Sequence, residues 1–411
     1  MSRQVFEGIK VADFAWAGVG PMVGRELAQH GATVIRVESH LRPDSLRTGG
    51  PFKDGVPGIN RSGLFAAYNT NKLGISLDLN DPRGQQIAKK LVAWADIVSD
   101  SMRPGTMARW GLDYESCRRL NPSVIYFSTT QQGQHGPHRD FQGFGHHANA
   151  LLGISGATGS PDRAPTLPFT AYCDFIGPWY LIIGVIGALL RRRKTGRGMY
   201  LEQSQFEAGL SFLGTHLLDC EANGHVVSRM GSRDRYLSPH GVYPCRGIDR
   251  WVVIAVTDEA RWQAFCEAIG EPGWAGDERF STLAERKRNE DRLDELIAGW
   301  TRNHTPQQVM TTLQSAGVAA GIVQTGEDLL GDPQLQHREH YRTLEHPEIG
   351  PHAYNAPAYR LSRTPCRIDR VAPCLGQHND RVYREMLGQS EREIATLRAE
   401  GVITSDPQDD A

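Results

Sequence analysis

Apolar positions in the first part of the chain form short continuous runs separated by amphipathic stretches. Lys10–Phe14 and Thr33–Glu38 are two such runs. Between them Ala17–Pro21 reads as a turn and Met22–His30 as a helix that stops before Gly31. A β-α-β unit of this kind opens a doubly wound parallel sheet. The runs Gly74–Leu79, Asp96–Ser99 and Val124–Thr130 supply further strands. Asp81-Pro82 starts a helix that reaches to about Trp94.

A longer apolar stretch, Trp179–Leu190, follows Pro178 and leads into Arg191-Arg192-Arg193-Lys194, cations suited to a helix C-terminus. Proline is tolerated in a first helical turn, so the pattern predicts a buried helix starting near Gly177 or Pro178. Thr195-Gly196 stops it, and Met199–Gln203 reads as the next strand. Asp174 then falls in the turn ahead of the helix, near its positive end. A carboxylate there is either an N-cap or an ionised nucleophile, and spacing alone leaves both open.

Phe206–Cys220 reads as a connecting helix. The pattern changes after a loop at Asn223–Gly241. Val242–Cys245 and Trp251–Val256 form a strand pair around Arg246–Asp249. Helices follow near Ala260–Ile269, Glu285–Trp300 and Gln307–Ala316, then a strand at Gly317–Thr325 and a helix at Asp328–Glu339. Two more helices, Arg381–Leu387 and Glu391–Glu400, precede a polar tail from Thr404 to Ala411 expected to be disordered. The expected organisation is therefore α/β. A Rossmann-like parallel-sheet large domain (residues 1–205) is followed by a connecting helix (206–224) and a smaller α+β domain (225–325). A return segment (326–411) completes the first.

Composition narrows the function classes. With 411 residues and a net charge of −2, nothing asks for nucleic acid or an anionic membrane as partner. Seven cysteines without a C-x-x-C pair suit reduced thiols in a cytoplasmic protein. The N-terminus has no continuous apolar signal core, and the Trp179–Leu190 run falls short of the about 20 residues a membrane span requires. Gly18, Gly20 and Gly24, with Glu38 beyond, imitate a dinucleotide fingerprint, but the spacing is G-x-G-x-x-x-G.

The motifs that carry chemistry resemble those of the family III CoA-transferases, the CaiB–BaiF or formyl-CoA transferase family. Asp174, the small residues Gly184 and Gly187, the segment Arg192–Gly198 and Glu207-Ala208 stand in the family's order. Asp13-Phe14, Gly20-Pro21 and Gly31–Glu38 match its coenzyme A segment. Asn69, Asn71 and Lys72 with the following strand match N-x-N-K, with Gly74 where Ser is usual. Ser101 and Met102 replace Asn and Phe ahead of Pro104-Gly105, and Arg109 matches the family's following arginine. The resemblance is closest to succinyl-CoA-dependent transferases of dicarboxylic or benzylsuccinate-type acids. It implies an interlocked dimer in which each chain threads the other, coenzyme A as a substrate, and neither NAD nor metal.

The resemblance further implies Asp174 as the catalytic residue and Trp16, Ala17, Gly18, Arg36, Lys72, Ser101, Met102, Arg109 and His147 as coenzyme contacts. Lys72 is placed near the phosphates, against the simpler reading of a solvated charge. His146, Arg233, Arg235 and His240 are assigned to the acid substrate, against a capping role for the histidine pair and a solvated basic loop at Gly231–Gly241. Such a site exchanges acyl groups through an aspartyl anhydride and an aspartyl thioester. Backbone N–H groups near Ile176–Gly177 are the expected oxyanion donors. Two other readings stay open: an acyl-CoA racemase or epimerase using His147 with Asp174, and a coenzyme-binding partner subunit of a heteromeric transferase. Ala148 stands where the family carries a further active-site carboxylate.

Overall fold

The computed structural model describes residues 4–270 and 272–404, so the tail beyond Thr404 lies outside the described residues. Six strands form one sheet: β1 (Lys10–Asp13), β2 (Thr33–Glu38), β3 (Leu73–Ser76), β4 (Ile97–Asp100), β5 (Ile125–Thr130) and β6 (Met199–Ser204). They run in the order β3-β2-β1-β4-β5-β6, and every neighbouring pair is parallel. This is the doubly wound order, in which the strand sequence reverses between β1 and β4. Alternate side chains feed two cores. Ala12, Ile35 and Val98 enter one, whereas Val11, Val34 and Ile97 enter the other.

Helix α1 (Val19–Gln29) follows β1, and α2 (Pro82–Trp94) begins on Asp81, whose side chain caps Arg83 N–H. Short α3 (Gly145–Leu151) precedes α4 (Tyr172–Thr195). Helix α4 starts six residues ahead of Pro178 rather than at it, a difference from the sequence pattern. The proline sits inside the helix, and Asp174 lies in the first turn instead of the preceding loop. With 24 residues, α4 is by length and composition long enough to cross a bilayer, unlike the shorter apolar run read from sequence. Here Leu181, Ile182, Val185 and Ala188 are buried in the core shared with β1 and β5.

The chain divides into two compact units. One holds the described residues of Met1–Leu152, Pro168–Leu218 and Gln334–Ala411, and the other holds Gly153–Leu167 and Asp219–Pro333. The segment Gly153–Leu167, read from sequence as part of the first domain, therefore clusters with the second unit. The expected connecting helix is broken: Gln205–Leu210 and Gly214–Asn223 are separated by a 3₁₀ turn. The second unit carries the antiparallel sheet β7 (His240–Pro244), β8 (Trp251–Ala255) and β9 (Ala319–Ile322). Val252, Ile254, Phe265, Leu293, Ile297 and Leu313 form its core. In the first unit, β10 (Tyr341–His346) and β11 (Gly350–Asn355) form a hairpin that the apolar pattern did not reveal.

Candidate active site

Strands β1 and β4 both end at the edge where the sheet order reverses, the place where open α/β sheets take ligands. There the backbone of Trp16 is held from β4: Trp16 N–H donates to Ser101 Oγ at 2.7 Å, and Ser101 Oγ donates to Trp16 O at 2.9 Å. Ala17 follows in a left-handed conformation, with φ of 59°. Gly18 then caps α1.

Asp174 packs against this turn. A Cβ on Gly18 would lie 3.3 Å from Asp174 Cγ, tighter than an ordinary van der Waals contact. On its other side, a Cβ on Gly145, the first residue of α3, would lie 2.7 Å from the same atom. Glycine at 145 is thus a steric requirement of the carboxylate's seat, and a side chain at 18 would press on it. Pro178 has no N–H, so the Asp174 carbonyl loses the helical bond it would receive from four residues ahead. One turn on, Gln203 Nε2 donates to Gly177 O at 2.8 Å and ties the proline-bearing segment to β6.

Burial raises the Asp174 carboxyl to about 6, and a weak hydrogen bond from the Cys173 thiol opposes the rise. At that value roughly nine-tenths of the groups are ionised at pH 7, a much narrower margin than an exposed aspartate has. The neighbouring Cys173 is buried, and its thiol is pushed up to about 12, chiefly by burial and then by Asp174. Its Sγ donates to Gly145 O at 3.4 Å and lies 3.9 Å from Asp174 Oδ1. Cys173 therefore stays a thiol, a donor rather than a competing nucleophile. Tyr68 stands close enough for the Asp174 charge to raise its phenol, after burial.

Two of the expected coenzyme contacts point elsewhere. Lys72 is fully buried, and its Nζ donates to Asp13 Oδ2 at 2.8 Å, Pro21 O at 2.9 Å and Asn69 Oδ1 at 2.9 Å. All three ammonium protons are taken, so neither the phosphate contact nor a solvated charge describes it. Burial lowers its pKa to about 8, with Asp13 acting against the shift. Arg36 is equally buried and pairs with Asp44, Glu38 and Asp13. With Arg47 on Glu38 at 2.8 Å, these form a closed group of three cations and three carboxylates beneath the site. Gly24 lets α1 settle on it: a Cβ there would meet Asp13 Oδ2 at 2.9 Å.

The other expected residues are placed as follows. Met102 is half-buried, and its N–H donates to Asp100 Oδ1 at 2.8 Å. Arg109 is exposed on the short helix Thr106–Arg109. Between this segment and β5–β6 lies a cavity of about 610 Å³ lined by Asp100, Arg103, Gly105, Tyr126, His135 and Tyr200. Burial raises Asp100 in its wall to about 6. His146 is exposed, and His147 takes the capping role: its Nδ1 accepts the Phe144 N–H at 3.1 Å, which leaves the proton on Nε2 of the neutral ring. The N–H groups of Ile176 and Gly177 lie beyond the first helical turn and are not free donors, a correction that follows from the earlier helix start.

Within the second unit the cations of the basic loop are paired, although Arg235 stays exposed. Arg233 donates to Asp294 Oδ2 at 2.8 Å and Asp291 Oδ1 at 2.6 Å. Arg235 Nη1 lies 3.4 Å from Asp219 Oδ2, and His240 Nδ1 lies 2.8 Å from Ser232 O. The acidic face of the helix Glu290–Thr301 holds Arg233 in place, so a substrate carboxylate would have to displace that pairing.

Comparisons with known proteins identify the family. The model described as CoA-transferase family III matches residues 6–379. The chain belongs to that family, and it is a CoA-transferase. It is 32% identical over 97% of its length to "Succinyl-CoA--D-citramalate CoA-transferase" of Chloroflexus aurantiacus, covering 98% of that protein. It is 30% identical over 96% of its length to "Succinyl-CoA--L-malate CoA-transferase alpha subunit" of the same organism, covering 92%. Among solved structures, a CAIB/BAIF family protein from Brucella suis superposes with a TM-score of 0.85 at 29% identity, covering 93% of this chain and 99% of that one. Sequence reasoning in this CoA-transferase missed Gly145 and Cys173. The apolar contacts of a glycine and a buried thiol leave no pattern in a single sequence.

Proposed function

We propose that this family III CoA-transferase moves coenzyme A from succinyl-CoA to a carboxylic acid through covalent intermediates on Asp174. The observation that carries the reading is the seat of Asp174, half-buried and packed closely against the backbone of both Gly18 and Gly145. A carboxylate held in a half-buried site is poorly solvated and needs no general base. It attacks the thioester carbonyl of the donor, and the coenzyme A thiolate leaves as the Asp174 acyl anhydride forms. The thiolate then attacks the aspartyl carbonyl, releasing succinate and leaving an aspartyl thioester. The acceptor carboxylate attacks that thioester, and the returning thiolate completes the exchange. Each step breaks one acyl bond and makes another, so no oxidant or metal enters the balance.

Coenzyme A in this reading lies across the C-terminal edge of the sheet. Its thioester meets the Trp16–Gly18 turn, and its nucleotide end lies toward Arg103 and Arg109, whose guanidinium groups are exposed there. Succinyl-CoA as donor is supported by two relatives whose names give it as their donor. Seven cysteines without a C-x-x-C pair favour a reducing, cytoplasmic setting. A dimer is supported by the stripe Trp179, Ile183, Ile186 and Leu190 on α4, exposed at helical spacing. A neighbouring apolar groove of about 510 Å³ includes Phe6, Ile9 and Leu189. A monomer by sedimentation at micromolar concentration contradicts this assembly.

The test is exchange between succinyl-CoA and a panel of carboxylic acids, with Asp174→Ala as control. Activity of the purified chain that falls below a few per cent in the variant supports the reading. A relative named as an alpha subunit favours one second reading, a heteromer. In that case the chain alone is inactive and regains exchange when a related chain is added.

A further inference from the structure

The Ala15–Gly18 turn that faces Asp174 is held by more than the strand that leads into it. Ala17 occupies the left-handed region, at φ of 59°, where a Cβ crowds the backbone and glycine is the usual residue. Its N–H donates to both oxygens of Asp44, at 3.3 and 3.2 Å. Asp44 is fully buried and also caps the short helix Ser45–Thr48 through Leu46 N–H at 2.9 Å. Arg36, fully buried as well, donates to Asp44 and to Ala15 O, joining both ends of the turn through one guanidinium. Ser101 holds the remaining residue, Trp16, from β4. A strained alanine persists where its surroundings over-determine it.

We infer that Arg36 and Asp44 are positioning residues for the transfer reaction: they hold Ala17 in the left-handed conformation that aims Gly18 at Asp174. This rests on the reading of Asp174 as nucleophile. It also reassigns Arg36, which the family resemblance suggested as a coenzyme contact. The pair touches no reacting atom. Its effect runs through one backbone conformation, and that makes it separable from a general role in stability. Glycine at position 17 adopts the same conformation without the clamp.

The experiment compares wild type, Asp44→Asn and Asp44→Asn/Ala17→Gly with succinyl-CoA and an accepted acid, reading kcat, KM and the rate at which Asp174 is labelled. Asp44→Asn is expected to lower kcat and the labelling rate about ten-fold, with KM for the acyl-CoA changed less than two-fold. Ala17→Gly in that background is expected to restore at least half of the lost kcat while raising the melting temperature no more than the same substitution does in wild type. No rescue of kcat, or kcat regained only with a larger gain in melting temperature than in wild type, overturns the inference. Should Asp44→Asn not fold, Ala17→Val serves instead, because a β-branched residue resists the left-handed region. Unchanged kcat in that variant is equally contradictory. A wild-type chain that exchanges coenzyme A without label on Asp174 overturns the nucleophile reading and this inference with it. Label on wild-type Asp174 without the rescue overturns the inference alone.

Discussion

Gly145 and Asp174 come from different helices, yet a Cβ placed on the glycine would lie 2.7 Å from the aspartate Cγ. The same Cβ would crowd the Ala171 side chain at the start of α4. Gly145→Ala is therefore expected to push the carboxylate out of its seat. Overpacking of this kind costs about 1–3 kcal/mol of stability. Displacement of a reacting group by about 1 Å can cost on the order of a hundred-fold in rate. Steady-state kinetics should show kcat falling by about that factor, with a smaller change in KM for the acyl-CoA. A fully active Gly145→Ala enzyme contradicts the steric account.

The α/β order was legible in the sequence, because β1, β2, β4 and β5 are buried apolar runs, and the Asp174 segment stood out by its spaced small residues. The start of α4 was not. Pro178 looked like a first-turn residue, but it sits deeper in the helix, where Gln203 on β6 donates to the carbonyl of the preceding Gly177. No local pattern reports that distant partner. Lys72 was misread for a similar reason. A lysine beside two asparagines looks solvated or phosphate-binding until Asp13, 59 residues away, closes over it. The pairing of Arg233 with Asp291 and Asp294 is likewise a long-range event.

Lys72→Met tests that reassignment. Removing one partner of a buried ion pair leaves the other uncompensated and typically costs about 3–5 kcal/mol. Chemical denaturation should show a loss of that order, whereas a phosphate-binding lysine would instead raise KM for the acyl-CoA with little effect on stability. A large KM change at unaltered stability returns Lys72 to the coenzyme.

The raised Asp174 carboxyl gives a pH dependence with a defined sign. Only the carboxylate attacks, so the rate of Asp174 acylation should rise with pH, with a midpoint near 6, and level off above about pH 7. Stability runs the other way. The folded pKa lies above the ordinary 3.8, so the folded state binds its proton more tightly. The associated stability is fully present below about pH 4 and is lost as pH rises through 6. Asp100 behaves alike, raised by burial to about 6. At 1.36 kcal/mol per pKa unit, Asp174→Asn should stabilise the protein at pH 7 by about 1–3 kcal/mol, the lower part of the range reflecting its partial exposure. Urea denaturation at pH 4.5 and 7 checks this, and an Asp174→Asn variant less stable than wild type at pH 7 contradicts it.

The covalent role of Asp174 is tested most directly by intact-mass and peptide mass spectrometry after rapid acid quench of the enzyme mixed with succinyl-CoA. The expected result is an adduct of coenzyme A or of the acyl group confined to the peptide bearing Asp174, removed by hydroxylamine and absent from Asp174→Ala. Turnover in the same sample with Asp174 unmodified at every quench time, or with the adduct on another residue, contradicts it.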